Sequence, residues 1–201
     1  MQPTRQPAYN LTMSASTSSL AAHYLDNVRK SYRAYKKQAE NAFAQLRDED
    51  FFRTLDSESN SIALIVKHMR GNMLSRWTDF LTTDGEKPTR DREREFMDAG
   101  EHTRADVMRW WEEGWTRTMA TLDALRPDDL ERTVTVEGKP FSVLEAVQRQ
   151  LAHYAYHGGQ IVFLAKHFRG ADWKSLSIPK PGREAFQGGD PIRPGVGTPS
   201  R

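Results

Sequence analysis

The sequence predicts an all-α protein, a four-helix bundle with long connections and disordered tails. Three observations lead there. Four segments carry apolar residues at three-, four- and seven-residue steps, the period of an amphipathic helix. Strand-like alternation is confined to one short stretch, "TVTV" at residues 133–136. The strand–helix rhythm of an α/β fold is absent, while 37% hydrophobic residues in 201 suffice for one core.

The first helix is expected from about Leu20 to Leu46, with Ser18 or Ser19 as its cap. Leu20, Tyr24, Val28, Tyr35, Ala39, Ala42 and Leu46 form its apolar stripe. Its basic run "RKSYRAYKK" reads as a solvated face. The second helix starts near "SNSIALIVKHMRGNMLSRWTDFL", with Ser59 or Asn60 as the cap and Ile62, Val66, Met69, Met73, Trp77 and Phe80 buried. "TTDGEKPTRDREREFMDAGE" is rich in charge, glycine and proline, and reads as a loop. The third helix runs from Arg104 to Leu125 behind Thr103, with Val107, Met108, Trp111, Trp115, Met119 and Leu122 inward; Arg126-Pro127 ends it. "TVTV" is expected as a short extended connection, since a two-stranded piece is marginal alone. Ser142 then caps the fourth helix, Val143 to Arg169, which Gly170 stops.

These segments divide the chain into a disordered tail (1–19), a bundle (20–170), a docking segment (171–187) that uses Trp173, Leu176, Ile178 and Phe186, and a second disordered tail (188–201). A formal net charge of +2 gives no support to nucleic-acid binding. The absence of cysteine excludes a disulfide framework, a thiolate metal site and a cysteine nucleophile. No apolar run approaches the ~20 residues of a membrane span. The opening "MQPTRQPAYNLTMSASTSS" lacks the apolar centre of a secretory signal, so the cytoplasm is the expected location.

Chemistry concentrates in the fourth helix, "LAHYAYHGGQIVFLAKHF". At about 100° per residue, Leu144, Val147, Leu151, Ala155, Gly158, Val162 and Ala165 form the centre of its apolar arc, and His153 and His157 fall at one edge. Residues four apart share a helix face, so two imidazoles there can converge on one ion. The zinc-protease helix motif is excluded, because Tyr154 stands where its glutamate is required. Taken alone, the pair reads first as packing histidines. A third histidine, His68, lies at the edge of the second helix's stripe, with Asn72 and Ser75 on the same flank. Three edge histidines on two facing helices make a three-nitrogen site geometrically feasible, with an open position of the kind catalytic zinc keeps. Imidazole also suits nickel, iron and copper. His23, His102 and His167 lack such company. A mid-helix glycine pair costs roughly 1 kcal/mol per residue, and Gly158, like Gly71, is expected to admit a neighbouring helix closely, or only to relieve crowding from the tryptophans.

"IALIVKHMRGNM", "HYAYHGGQIVFLAKH" and "DWKSLSIPKPGREAF", in that order, resemble the DinB-like (YfiT-like) superfamily of four-helix-bundle metalloenzymes, and within it a domain-of-unknown-function subgroup. The resemblance spans roughly Leu20 to Phe186. It implies a divalent metal, zinc or nickel foremost, held by His68, His153 and His157, and a homodimer. It also implies a small-molecule substrate with a low-molecular-weight thiol as cosubstrate. Asn72, Tyr154 and Gln160 are the polar groups expected behind the ligands. Two function classes follow: a metal-dependent transferase or hydrolase, or a non-catalytic metal-binding or stress-response bundle. Neither involves nucleic acid or a membrane.

Overall fold

The computed structural model describes residues 14–97, 102–187 and 191–192. Four long helices, α1 (Ser14–Phe43), α2 (Ile62–Trp77), α4 (Arg104–Ala124) and α5 (Val143–Arg169), form the expected all-α bundle, with a four-residue α3 (Arg92–Glu95) between the second and third of them. The alternating stretch is one arm of an antiparallel hairpin, β1 (Thr133–Val136) and β2 (Lys139–Ser142), rather than a single extended connection. Glu137 and Gly138 both have positive φ at its tip, as a two-residue primed turn requires.

Helix starts follow side-chain chemistry. Thr103 with Asp106 and Ser142 with Glu145 form reciprocal capping boxes, each satisfying two otherwise orphaned backbone N–H groups. Ser61, not Ser59 or Asn60, caps α2 by accepting from the Leu64 amide. Its C-terminus comes earlier than the apolar pattern suggests: the helix stops at Trp77, and Asp79 takes a left-handed turn (φ 49°). Phe80 is buried nonetheless. α1 begins at Ser14, so Ser18 and Ser19 lie inside it rather than at its cap, and the proposed tail 1–19 is helical from residue 14. Residues 1–13 and most of 188–201 lie outside the described residues.

The core is organised around Tyr32, which the predicted stripe of α1 omitted. Leu20 is exposed and Tyr35 only half-buried, whereas Leu25, Val28, Tyr32, Ala39 and Phe43 face inward. The Tyr32 ring meets Trp77 of α2, Trp115 of α4 and Tyr154 of α5 edge-on, at centroid distances of 6.0, 6.4 and 5.8 Å. One aromatic thus touches all three other long helices, in the edge-to-face arrangement that aromatic rings prefer. Its hydroxyl donates to the Val147 carbonyl at 2.7 Å, so the phenol is buried without an orphaned donor. α2 packs chiefly on α4 and α1 on α5, while α2 and α5 meet along a narrower seam. Arg29, in the basic run, donates to the Leu122 and Leu125 carbonyls and so closes the C-terminus of α4.

After α5, Leu176 is buried and Trp173 and Phe186 pack against the core, whereas Ile178 is exposed. Gln45 and Lys174 exchange two hydrogen bonds that tie this C-terminal segment to the turn after α1.

The glycines divide sharply. A Cβ at Gly114 would lie 2.7 Å from Met73 Sδ and 3.3 Å from Arg70 Cα, so this glycine sets the α2–α4 approach. A Cβ at Gly158 would meet nothing within 4 Å, which overturns the expectation of a close helix there. Gly114→Ala should therefore cost about 1–3 kcal/mol through overpacking, while Gly158→Ala should be neutral or stabilising by up to ~1 kcal/mol of helix propensity. Urea denaturation of the two variants beside the parent protein measures both signs.

Candidate metal centre

The α2–α5 seam carries the three edge histidines. The apolar arc of α5 is rotated toward them relative to the sequence-based centre: Leu144 is exposed and Leu151, Ala155 and Val162 are half-buried, while Val147, Gln150, Tyr154, Gly158 and Ile161 are buried. His153 and His157 accordingly reach further under the protein surface than an edge position implies, and His68 comes from α2 to meet them.

All three imidazoles present Nε2 to a common point. His153 Nε2 lies 3.3 Å from His68 Nε2 and 3.0 Å from His157 Nε2, and the three candidate ligand atoms lie within 4.8 Å of one another. Metal–nitrogen bonds of ~2.0–2.1 Å meeting at about 90–110° place nitrogens about 2.9–3.4 Å apart, which the two separations from His153 match.

The outer nitrogens explain why the inner ones carry lone pairs. His68 Nδ1 lies 2.9 Å from Glu95 Oε2. An ionised carboxylate only accepts, so Nδ1 carries a proton, and in the neutral ring Nε2 is the nitrogen left bare. Burial pushes the Glu95 carboxyl up, but Arg90 and His68 outweigh it and hold it below its usual range. His157 Nδ1 is 2.8 Å from Gln160 Oε1 and donates to it, leaving its Nε2 bare as well. His153 can place at most one proton between them while neutral, and that proton satisfies one neighbour. Its own Nδ1 is buried without a partner among the described residues. A second proton is disfavoured: burial first, then the repulsion that protonated His157 or His68 would exert, push His153 down to about 3. His157 is lowered too, by burial and by His68, against an opposing contribution from Gln160. Two or three lone pairs therefore face one another in a partly buried site, the electrostatic setting that a bound cation relieves.

Of the polar residues expected behind the ligands, Gln160 bonds a histidine, whereas Asn72 and Tyr154 bond each other. The Tyr154 hydroxyl accepts from Trp77 Nε1 at 2.9 Å and donates to Asn72 Oδ1 at 3.0 Å, and all three groups are buried. Burial holds the Tyr154 phenol well above its ordinary value, so it stays neutral and its proton remains available to Asn72. Sequence reasoning missed Glu95 and Arg90, which lie in the segment read as a plain loop. Arg90 grips both oxygens of Glu95, at 2.8 and 2.9 Å, and also pairs with Glu86 at 3.2 Å. The one local signal was Asp91, whose carboxylate caps the short α3 on the Arg94 amide; nothing in the spacing connects that turn to His68. His23 and His167 are exposed, and His102 packs edge-on against Trp110, so none of them approaches the cluster.

Residues 19–182 match the family described as protein of unknown function (DUF1572). The chain belongs to that family. No curated protein and no solved structure matches it. Among the described residues no helix is long and apolar enough to cross a membrane. The domain brings no assigned reaction with it, so its chemistry has to be read from the three imidazoles, which could hold a metal ion.

The histidines also govern acid stability. His153 is depressed from 6.5 to about 3 in the folded protein, so the unfolded chain binds a proton that the folded one refuses. Stability is full above the unfolded value and falls as pH drops from about 6.5 toward 3. In metal-free protein the urea midpoint should decline between about pH 6.5 and 4.5, above the range where carboxylates titrate. A His153→Phe variant should show a flatter profile across that window.

Proposed function

We propose that His68, His153 and His157 bind one divalent cation through their Nε2 atoms and that the protein is a metal-dependent enzyme of the DinB-like superfamily. The observation that carries this reading is the convergence of three Nε2 atoms whose opposite nitrogens, at His68 and His157, are committed to acceptors. Boundary histidines that only pack would turn their nitrogens to backbone or water instead. Zinc and nickel are the preferred ions, because three neutral nitrogen donors suit borderline cations better than magnesium or calcium.

Three protein ligands leave room in the coordination sphere for a substrate atom. Among the described residues no carboxylate or other histidine joins the cluster as a fourth ligand, which favours the catalytic over the purely structural reading. The ion would supply Lewis acidity, favouring the thiolate form of a thiol or the deprotonated form of water. The protein's own contribution is to aim the imidazoles, through acceptors at Glu95 and Gln160, and to disfavour protonation of His153 and His157 by burying them. The chain has no cysteine, so a reactive thiolate must arrive on a small cosubstrate. A transferase acting with a low-molecular-weight thiol is the reading we favour. A homodimer belongs to the same proposal, with the exposed Tyr156 and Phe163 of α5 available to a second copy; sedimentation at micromolar concentration should give twice the chain mass of 23.0 kDa, and a monomer there refutes it.

Elemental analysis of the purified protein should find one zinc or nickel per chain. His68→Ala, His153→Ala and His157→Ala should each remove most of it, while His167→Ala should retain it. Unchanged stoichiometry in the three variants would reduce the cluster to packing histidines. A conjugation screen with small thiols on the loaded protein then separates the transferase from a hydrolase.

A further inference from the structure

His68 is held from outside the bundle. Its Nδ1–H bonds Glu95, and its ring is stacked on Phe96 at a centroid distance of 4.7 Å and an angle of 29°. Both partners belong to the segment Glu86–Met97, in which Glu95 is the one buried residue: Pro88, Phe96 and Met97 are exposed, so no apolar side chain anchors this segment in the core. A groove of about 870 Å³ lies between it and the outer face of α2, with Arg90 and Glu95 in the wall and Gly71 and Leu74 across from them.

Polar contacts fix the segment: the Lys87 amide donates to Ser75 Oγ and Lys67 Nζ to the Met97 carbonyl at its two ends, and ion pairs run between. Glu95 binds Arg90, whose side chain is only 4% exposed; Arg90 binds Glu86, Glu86 binds Arg76 at 2.6 Å, and Arg76 binds Glu137 of the hairpin at 3.0 Å. This ladder of ion pairs ends at His68, and α2 makes space for it: a Cβ at Gly71 would lie 2.0 Å from Glu95 Oε1. Segments with few buried apolar contacts open at low free energy, so a single added bond shifts their order appreciably.

We propose that Glu95 is a positioning residue for the metal centre and that it couples occupancy of the three imidazoles to the order of the Glu86–Met97 segment. The inference rests on the metal reading above. A cation on Nε2 withdraws electron density from the imidazole and makes Nδ1–H a stronger donor to Glu95. The carboxylate in turn holds the ring in the tautomer and orientation that ligation requires. Coupling of this kind is reciprocal: the ion steadies the segment by the same factor by which the ordered segment tightens the ion.

The test uses the full chain, with zinc as the probe. Zinc affinity is measured by competition with a chromophoric chelator, and backbone amide exchange across residues 86–97 is followed with and without zinc. In the parent protein, zinc should bind one per chain and slow exchange of this segment by about tenfold or more, with α4 amides unaffected. Glu95→Ala should bind zinc about 10–100-fold more weakly and lose the zinc-dependent protection. Glu95→Gln, which keeps an acceptor but not the charge, should fall between, and it carries the test if the alanine variant fails to fold. Gly71→Ala, which displaces Glu95 without altering it, should behave like Glu95→Ala. Zinc bound equally tightly by all four proteins, or a segment indifferent to zinc in the parent, overturns the coupling while leaving the metal site standing. A parent protein that binds neither zinc nor nickel overturns the metal reading itself.

Discussion

The register of α2 against α5 is fixed by three buried polar groups, and the site exists because of that register. Trp77 Nε1 donates to the Tyr154 hydroxyl, which donates to Asn72 Oδ1. Asn72 stands one turn after His68, and Tyr154 directly follows His153. Sliding or rotating either helix would break both bonds inside the core, and each buried donor or acceptor left unsatisfied costs about 1–3 kcal/mol. Tyr32 adds an apolar constraint by setting its ring edge-on to both Trp77 and Tyr154. The aromatic core therefore does more than exclude water: it aligns two helices so that imidazoles from each meet at a point.

Local chemistry made most of the helices readable. The boxes Thr103/Asp106 and Ser142/Glu145 are written within four residues, and both mark their helix starts correctly. His68, His153 and His157 were legible as a group because helical periodicity places all three at stripe edges. The rotation of α5 was not, since Leu144, Leu151 and Val162 are as apolar as the residues that are buried; which side of a broad apolar arc faces the core depends on partners, here Tyr32 and Trp77. The start of α1 was hidden by a serine- and threonine-rich run with weak helix propensity. Gly158 and Gly71 looked alike in sequence, yet one faces open space and the other a carboxylate from 24 residues away in the chain. Glu95 and Arg90 were hidden most deeply, because "DREREF" has the composition of a solvated loop and becomes part of the site only through a contact across 27 residues.

The site joins two parts of unequal rigidity. His153 and His157 are carried by the longest apolar helix of the site, braced by the Tyr154 hydrogen bonds and by Gln160. His68 sits on an equally regular helix, but the group that orients its ring comes from a segment pinned by ion pairs over a groove. Exposed ion pairs contribute little. Those of the ladder are better placed, since Arg76, Arg90 and Glu95 expose 7%, 4% and 8% of their side chains. Removing one partner from such a chain strands another charge with little water to replace it, so the ladder tends to hold or open as a unit.

Against this background the three imidazoles are an anomaly of stability. Apolar side chains at those positions would fill the seam without lone pairs in opposition, and the Nδ1 of His153, unpartnered among the described residues, would disappear with them. A sequence whose capping, packing and polar satisfaction otherwise agree breaks its own rule at one place, and such local violations mark functional sites more often than defects. Gln160 and Glu95 reinforce the point: they supply acceptors to the outer nitrogens, so that in the neutral rings the bare nitrogens are the inner ones. For packing alone, that commitment works against the fold. For a cation it would prepare the ligands in advance, with part of the desolvation of the imidazoles and the choice of neutral tautomer settled before any ion bound.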